Sequence, residues 1–226
     1  MSTVLAFDCA VSGQGVAIVR DGHSLASLFE EGRDQASRLL PAIVAALEQA
    51  GVARTELDLI AVTTGPGSFT GVRVGLSAAR GLAVGLGIPL AGIATTAVLR
   101  AQAQVQVADW LVVAAVDTRL GDWFCAIGDE PAPFAATVEQ LATRLAGQRS
   151  LIVGKDVAPL AQALQAAGVE ATTQEGPPDP VVLGRLAAEF GVEAWSVRNR
   201  AEGLPRPLYL RGVNITLPDG ARRTVE

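Results

Sequence analysis

The sequence predicts an α/β fold made of two similar βββαβα-type halves, and three observations carry that expectation. A short apolar run ends in an aspartate twice, Val4 to Phe7 before Asp8 and Leu111 to Val116 before Asp117. Strand-like runs alternate with stretches whose apolar residues recur at helical spacing. The order of segments in the second half repeats that of the first, a degenerate internal duplication.

Val4 to Phe7 opens the chain as a buried strand, and the small residues Ala10 to Gly15 turn it. Val16 to Arg20 resumes as a second strand, Asp21-Gly22 is a two-residue hairpin signal, and His23 to Glu30 returns as a third. Leu39, Leu40, Ile43, Val44 and Leu47 fall on one helical stripe closed by Gly51, with Pro41 expected in the first turn or at a kink. Thr55-x-x-Asp58 reads as a short capped turn. Leu59 to Thr64 is a buried strand, a Gly/Pro-rich loop follows, Val72 to Gly85 is a second helix, and Pro89 to Ile93 a further strand.

In the second half, Leu111 to Val116 and Trp123 to Ile127 are strands. Setting Asp8 on Asp117 superimposes Ala17 on Ala126 and Ile18 on Ile127. Leu151 to Val153 ends in Gly154 as Leu59 to Thr64 ends in Gly65, and Leu183 to Phe190 is a helix behind the Pro177-Pro178-Asp179-Pro180 loop. The boundary is expected in the polar stretch Arg100 to Asp109, giving halves of residues 1–104 and 105–226, with a tail after Gly212 that could pack back on the first half.

Two α/β halves with an aspartate closing each first strand point to an actin-like architecture with a ligand cleft between them. Asp8 and Asp117 are then candidates for cofactor binding. A carboxylate at a strand end can hold a metal-bound water, and a small-residue turn lets backbone N–H groups approach phosphate. The plainer reading, preferred here, is that each aspartate caps its own turn.

Composition narrows the chemistry. Half of the 226 residues are hydrophobic and 18% are charged, enough to bury a full core. His23 is the single histidine, which excludes a multi-histidine metal site. Lys155 is the only lysine, and Gly154-Lys155-Asp156 lacks the Ser or Thr of a phosphate loop. A net charge of −5 argues against an autonomous, sequence-independent grip on nucleic acid. Arg198, Arg200, Arg206 and Arg211 form a local basic stretch, read as solvated surface. Two distant cysteines, no basic leader and no long apolar run give the expectation of a cytoplasmic chain without a membrane span.

The most specific segment is Gly65-Pro66-Gly67-Ser68-Phe69-Thr70-Gly71-Val72-Arg73-Val74-Gly75. Its G-x-G-x-x-x-G spacing is one residue too long for a dinucleotide fingerprint, and no G-K-S/T follows. The glycines instead specify a rigid turn, with Ser68 or Thr70 available as N-cap. Gly71, Gly75, Ala78, Ala79 and Leu82 then make a small-residue helix face. Either that face packs within its own domain, or it meets another subunit with the Leu39 to Leu47 helix beside it.

The run GPGSFTGVRVGLSAARGLA, with LAFDCAVSGQGVAIV at the start, SRLLPAI at Ser37 to Ile43, AAVDTRLGDWFCAI at Ala114 to Ile127 and PLYLR at Pro207 to Arg211, resembles the bacterial TsaB (YeaZ) family. The resemblance implies an actin-like (ASKHA) fold and a part in making N6-threonylcarbamoyladenosine next to the anticodon of tRNAs reading codons that begin with adenine. It implies a scaffold without catalytic residues of its own, partnered by its metal-bearing paralogue TsaD and by the ATPase TsaE, with TsaC supplying threonylcarbamoyl-adenylate. No intrinsic cofactor or metal is implied; ATP and Mg enter through the complex with TsaD and TsaE, and tRNA is met only within it.

The helices matching Ser37 to Gln49 and Val72 to Gly85 correspond to the family's dimerisation surface, used for TsaD or for a homodimer. Leu39, Ile43, Leu47, Arg73, Gly75, Ala78, Ala79 and Leu82 are therefore the expected interface residues, and Gly65, Gly67 and Gly71 the structural loop. One departure stands out: where the family commonly has a histidine before the LLP helix, this chain reads Asp34-Gln35-Ala36-Ser37. Where TsaD-type enzymes place metal histidines, the chain reads Gly92-Ile93-Ala94-Thr95-Thr96, a pattern that predicts a partner rather than a catalyst. Two other functions compete. One is an independent actin-like Mg-ATP phosphotransferase using Asp8 and Asp117. The other, a peptidase, is disfavoured because no H-E-x-x-H occurs and any triad would have to recruit His23.

Overall fold

Buried apolar strands that need cover on both faces organise the computed structural model, which describes residues 2–32, 34–104, 109–130, 132–210, 213–216 and 222–225. In the first half β1 (Thr3–Asp8), β2 (Gln14–Arg20), β3 (His23–Glu30), α1 (Gln35–Ala50), β4 (Leu59–Thr63), α2 (Phe69–Leu86) and β5 (Leu90–Ile93) build a mixed sheet of spatial order β3-β2-β1-β4-β5. After α3 (Thr95–Ala101), the second half follows with β6 (Trp110–Asp117), β7 (Trp123–Ile127), β8 (Phe134–Ala136), α4 (Val138–Arg144), β9 (Arg149–Gly154), α5 (Ala158–Ala166) and β10 (Glu170–Glu175). Its order, β10-β9-β6-β7-β8, is the first order repeated strand for strand. Then come α6 (Pro180–Phe190), α7 (Val192–Glu202) and a hairpin of β11 (Val213–Thr216) with β12 (Arg222–Val225).

The duplication is therefore real in topology, but the ungapped superposition slips by one residue. Asp8 pairs with Gly15 across the β1–β2 turn, whereas Asp117 pairs with Trp123 across a turn one residue shorter. Ala6 faces Ala17, and its counterpart Ala115 faces Cys125, so Cys125 rather than Ala126 occupies the place of Ala17.

Each half lends the other a helix. Amphipathic α1 and α2 cover one face of the first sheet, with Leu39, Ile43, Leu76 and Ala79 packed on Phe7, Ile18 and Val62. The other face is covered by α6, which lies on β1, β2 and β4. In the second half α4 and α5 cover one face, and α3 lies on β6, β7 and β9. Thus the stretch from 180 to 202, which the sequence placed with the second half, packs on the first sheet, and α3 and α6 touch at the joint. A Cβ on Gly184 would lie 2.7 Å from Val19 Cγ2 and 3.3 Å from Ala6 Cβ, so glycine lets α6 seat on the sheet.

Polar contacts tie the joint. Gln102 donates from Nε2 to Pro177 O (3.0 Å) and accepts from Asp179 N (2.8 Å), while its own carbonyl accepts from Gln174 Nε2 (3.0 Å). Lys155 pairs with Glu31 at 2.7 Å across the halves, holding the Glu31 carboxyl below its ordinary range. Part of the expected boundary, residues 105–108, lies outside the described residues, as do Arg211, Gly212 and, in the tail, residues 217–221 and 226.

Two local expectations change. Pro41 is the seventh residue of α1, past its first turn, and is exposed. The turn before β4 is a 3₁₀ helix, Arg54–Glu56, whose Glu56 side chain accepts from Ala53 N (2.8 Å), while Asp58 accepts from Thr3 N (2.7 Å). Among the described residues no helix is long and apolar enough to cross a membrane.

Candidate functional site

The glycine loop runs from the end of β4 into α2 across the top of the β1–β2 turn. Ser68 N donates to Ala10 O, the Ser68 side chain accepts from Gly71 N (3.2 Å), and Val72 N donates to Ser68 O (2.9 Å). Ser68, not Thr70, is thus the N-cap. A Cβ on Gly67 would overlap Ala10 O, and one on Gly71 would overlap Cys9 O. Gly65, at φ +96°, offers its carbonyl to Thr95 N (2.8 Å), and Leu208 O lies above it. These glycines brace the loop on its own chain, with Ser68 N, Gly71 N and Val72 N each bonded within it.

Asp8 and Asp117 occupy equivalent turns in different surroundings. The Asp8 carboxylate is 2% exposed and accepts from Thr63 Oγ1 (2.6 Å) and Ala10 N (3.1 Å). Burial pushes its pKa up to about 6, outweighing these hydrogen bonds. Asp117 is exposed and accepts from Arg119 N (2.7 Å). Each carboxylate therefore bonds the N–H two residues on, the Asx turn of its own half. Burial also raises the pKa of the neighbouring thiol of Cys9, and that of Cys125 to about 12; neither cysteine is in a disulfide.

The expected interface residues divide by helix face. Leu39, Ile43, Gly75 and Ala79 are buried on the first sheet, within its core. The apolar stripe that marked them is the one an amphipathic helix buries on its own domain. Gly75 sits 3.4 Å from Val62 Cγ2, measured to the Cβ it lacks. Leu47, Ala78 and Leu82 are half-buried at the flanks, and Arg73 is exposed. The outward face is made by residues the small-residue stripe did not include. On α1, Leu40 and Val44 are each 53% exposed, and on α2, Val84 is 73% and Phe69 44% exposed. Between them Gly81 and Gly85 are helical glycines whose Cβ positions meet nothing within 4 Å. Val44, Leu47, Glu48 and Gly51 to Arg54 line a shallow groove at the end of α1. The signal was available: Leu40 and Val44 made the Leu39–Leu47 stripe too wide for one sheet, and Gly81 and Gly85 lie opposite the core-facing Ala79 and Ala83.

Elsewhere, Thr95 and Thr96 are buried at the start of α3, and His23 is exposed on β3. Gln35, in the Asp34–Ser37 stretch where the resemblance leads one to expect a histidine, donates to Gly13 O (3.3 Å) and Gly32 O (3.4 Å), joining α1 to the β1–β2 turn. Arg198 and Arg200 pair with Glu202 and Glu193 on α7.

Comparison with known proteins gives this geometry a family. The model of the family TsaD, tRNA N6-adenosine threonylcarbamoyltransferase, matches residues 30–144, just over half of the chain. The tRNA threonylcarbamoyladenosine biosynthesis protein TsaB of Escherichia coli (strain K12) is 35% identical over 123 residues, 54% of this chain and 53% of that protein. The matched stretch thus spans about half the length of that curated relative. The solved structure of YeaZ from Pseudomonas aeruginosa has a TM-score of 0.73 at 27% identity, covering 93% of this chain and all of that one. Another, described as an uncharacterized protein from Pseudomonas aeruginosa with similarity to peptidase YEAZ, reaches 0.75 at 28%, covering 93% of this chain and 100% of that chain. The fold is the two-subdomain actin-like one.

Proposed function

The chain belongs to the TsaD family of tRNA N6-adenosine threonylcarbamoyltransferases and groups within it with the TsaB (YeaZ) proteins, and on that premise we propose that it serves tRNA threonylcarbamoyladenosine biosynthesis as a non-catalytic scaffold subunit. In this reading it binds TsaD through the outer face of α1 and α2, and TsaE joins the pair. The complex forms N6-threonylcarbamoyladenosine next to the anticodon of tRNAs reading codons that begin with adenine. It works in the cytoplasm, and ATP, Mg and tRNA are engaged by the complex. The same helices serve a homodimer when TsaD is absent.

The observation that carries this reading is the uncovered α1–α2 face. Leu40, Val44 and Val84 stand outward, and completing their burial is worth roughly 1 kcal/mol each. Gly81 and Gly85 cost about 1 kcal/mol each relative to alanine, and among the described residues nothing lies within 4 Å of the missing Cβ to justify it. A second helix approaching closely would supply that justification. An independent phosphotransferase would instead need an open Asp8 carboxylate, and that carboxylate is buried and bonded to Thr63 Oγ1 and Ala10 N.

Mixing the purified chain with TsaD of the same organism, with TsaE and ATP present, is expected to give a stable complex on a sizing column. Gly81→Leu is expected to abolish it without lowering the melting temperature, because the new side chain points into open space and leucine favours the helix over glycine. Failure of the natural chain to bind TsaD would overturn the proposal.

A further inference from the structure

The chain after α7 does not leave the molecule. Asn199 closes the edge of β5, accepting from Leu90 N (2.7 Å) and donating to Leu90 O (3.0 Å). Pro205 fills the space a Cβ on Gly92 would take, and its carbonyl accepts from Arg80 Nε (3.0 Å). Leu208 N donates to Thr64 O (2.8 Å) beside the glycine loop. The strap thereby delivers Tyr209 to the first turn of α2. There its hydroxyl accepts from Arg73 Nε (2.9 Å), and its ring lies 5.9 Å from that of Phe69. The Arg73 guanidinium carbon sits 3.6 Å over the Phe69 ring.

We infer that the partner-binding face includes this strap, with Tyr209 and Phe69 holding Arg73 as a preset cation for a carboxylate on the docking helix of a different protein. The inference rests on the scaffold reading of the α1–α2 face. Arg73 lies on the outward line of α2 with Ser77, Gly81 and Val84, at spacings of four, four and three residues. One of its N–H groups is used by Tyr209 and one ring covers its face, and among the described residues no hydrogen bond engages its Nη groups, whose donors suit an end-on carboxylate. Among the described residues no carboxylate is within ion-pair distance of Arg73, whereas Arg20, Arg38, Arg144 and Arg149 each have one. The residues of α2 include two arginines and no acid. A second copy would bring the same cations on its own α2, so charge favours a different, acidic helix over self-pairing at this point. Fixing a long side chain before binding lowers the entropy cost of the contact.

The test is calorimetry of the full-length chain against purified TsaD at low and high salt, with melts to check folding. Arg73→Gln is expected to weaken binding about tenfold and to flatten its salt dependence. Arg73→Lys, which keeps charge but loses the planar stack, should fall between. Tyr209→Phe keeps the ring and removes the acceptor, and should cost about threefold. If Arg73→Gln binds within twofold of the natural chain with the same salt slope, the inference is overturned. Gly81→Leu separates the two ideas: if it abolishes binding while Arg73→Gln does not, only the role of Arg73 falls. If neither variant changes binding, the scaffold face falls with it.

Discussion

The two halves share one strand order and one Asx turn after the first strand, yet they differ in what they do with their helices. In the first half α1 and α2 run 16 and 18 residues and carry exposed Leu40, Val44, Phe69 and Val84. Their counterparts α4 and α5 run 7 and 9 residues, and among the described residues neither carries a large exposed apolar side chain. Duplication thus preserved the frame, whose strands must pair and be covered on both faces. The helices diverged where their outward faces are answerable to something else. Strand register tolerates little drift, because a slip of one residue turns every side chain to the opposite face. An outward helix face is under no such constraint.

The exchanged helices offer the largest test of that comparison. On the second sheet α3 makes its contact with a side chain, Leu99, buried among Ala114, Val116 and Val153. On the first sheet α6 makes its contact by lacking one, at Gly184 against Val19. Leu99→Ala should leave a cavity and cost about 2–5 kcal/mol, whereas Gly184→Ala should overpack and cost about 1–3 kcal/mol. Denaturant melts of both variants check this. A negligible loss in either variant would mean that its helix does not brace the joint.

The paired aspartates give the next test. Asp8 has a folded pKa of about 6 against an ordinary 3.8, so the native state holds its proton over a range where the unfolded chain has released it. The stability this lends is complete below the unfolded value and is lost as pH rises through about 6, amounting to roughly 2–3 kcal/mol. Asp8→Asn can still accept from Thr63 and Ala10 without a buried charge. It should flatten the slope between pH 4 and 6 and leave the protein at least as stable at pH 7. Chemical denaturation at a series of pH values checks this, and a steep slope surviving in Asp8→Asn would assign it to another group.

Much of this contrast was legible in the sequence, and the parts that were not share a physical reason. The buried strands β1, β4 and β6 announce themselves as apolar runs, and Asp21-Gly22 marks its hairpin. By contrast β10 reads Glu-Ala-Thr-Thr-Gln-Glu, because it is an edge strand with exposed positions, and β8 spans three residues. The one-residue slip past Asp117 arises in a shorter turn, which no ungapped pattern can register. At the candidate site, hydrophobic periodicity found the helices and marked their core-facing side: Leu39, Ile43, Gly75 and Ala79 are periodic because they face their own sheet. Tyr209 reaches Arg73 from 136 residues away, a contact that local pattern cannot encode.

The smallest expected effect is the one that most sharpens the contrast between the outward faces. Gly81 costs its helix about 1 kcal/mol relative to alanine, and a Cβ there meets nothing within 4 Å. Gly81→Ala should therefore stabilise the isolated chain by about 1 kcal/mol, a gain of a few degrees in the melting temperature. If the α2 face receives a closely packed helix, the same methyl group should weaken the complex with TsaD, so that stability and affinity move in opposite directions. A stabilising change with unaltered affinity would mean that the partner does not approach α2 at this turn. A residue that lowers the stability of its own subunit and is retained for the sake of a contact is what separates a helix built for a neighbour from one built only for its sheet.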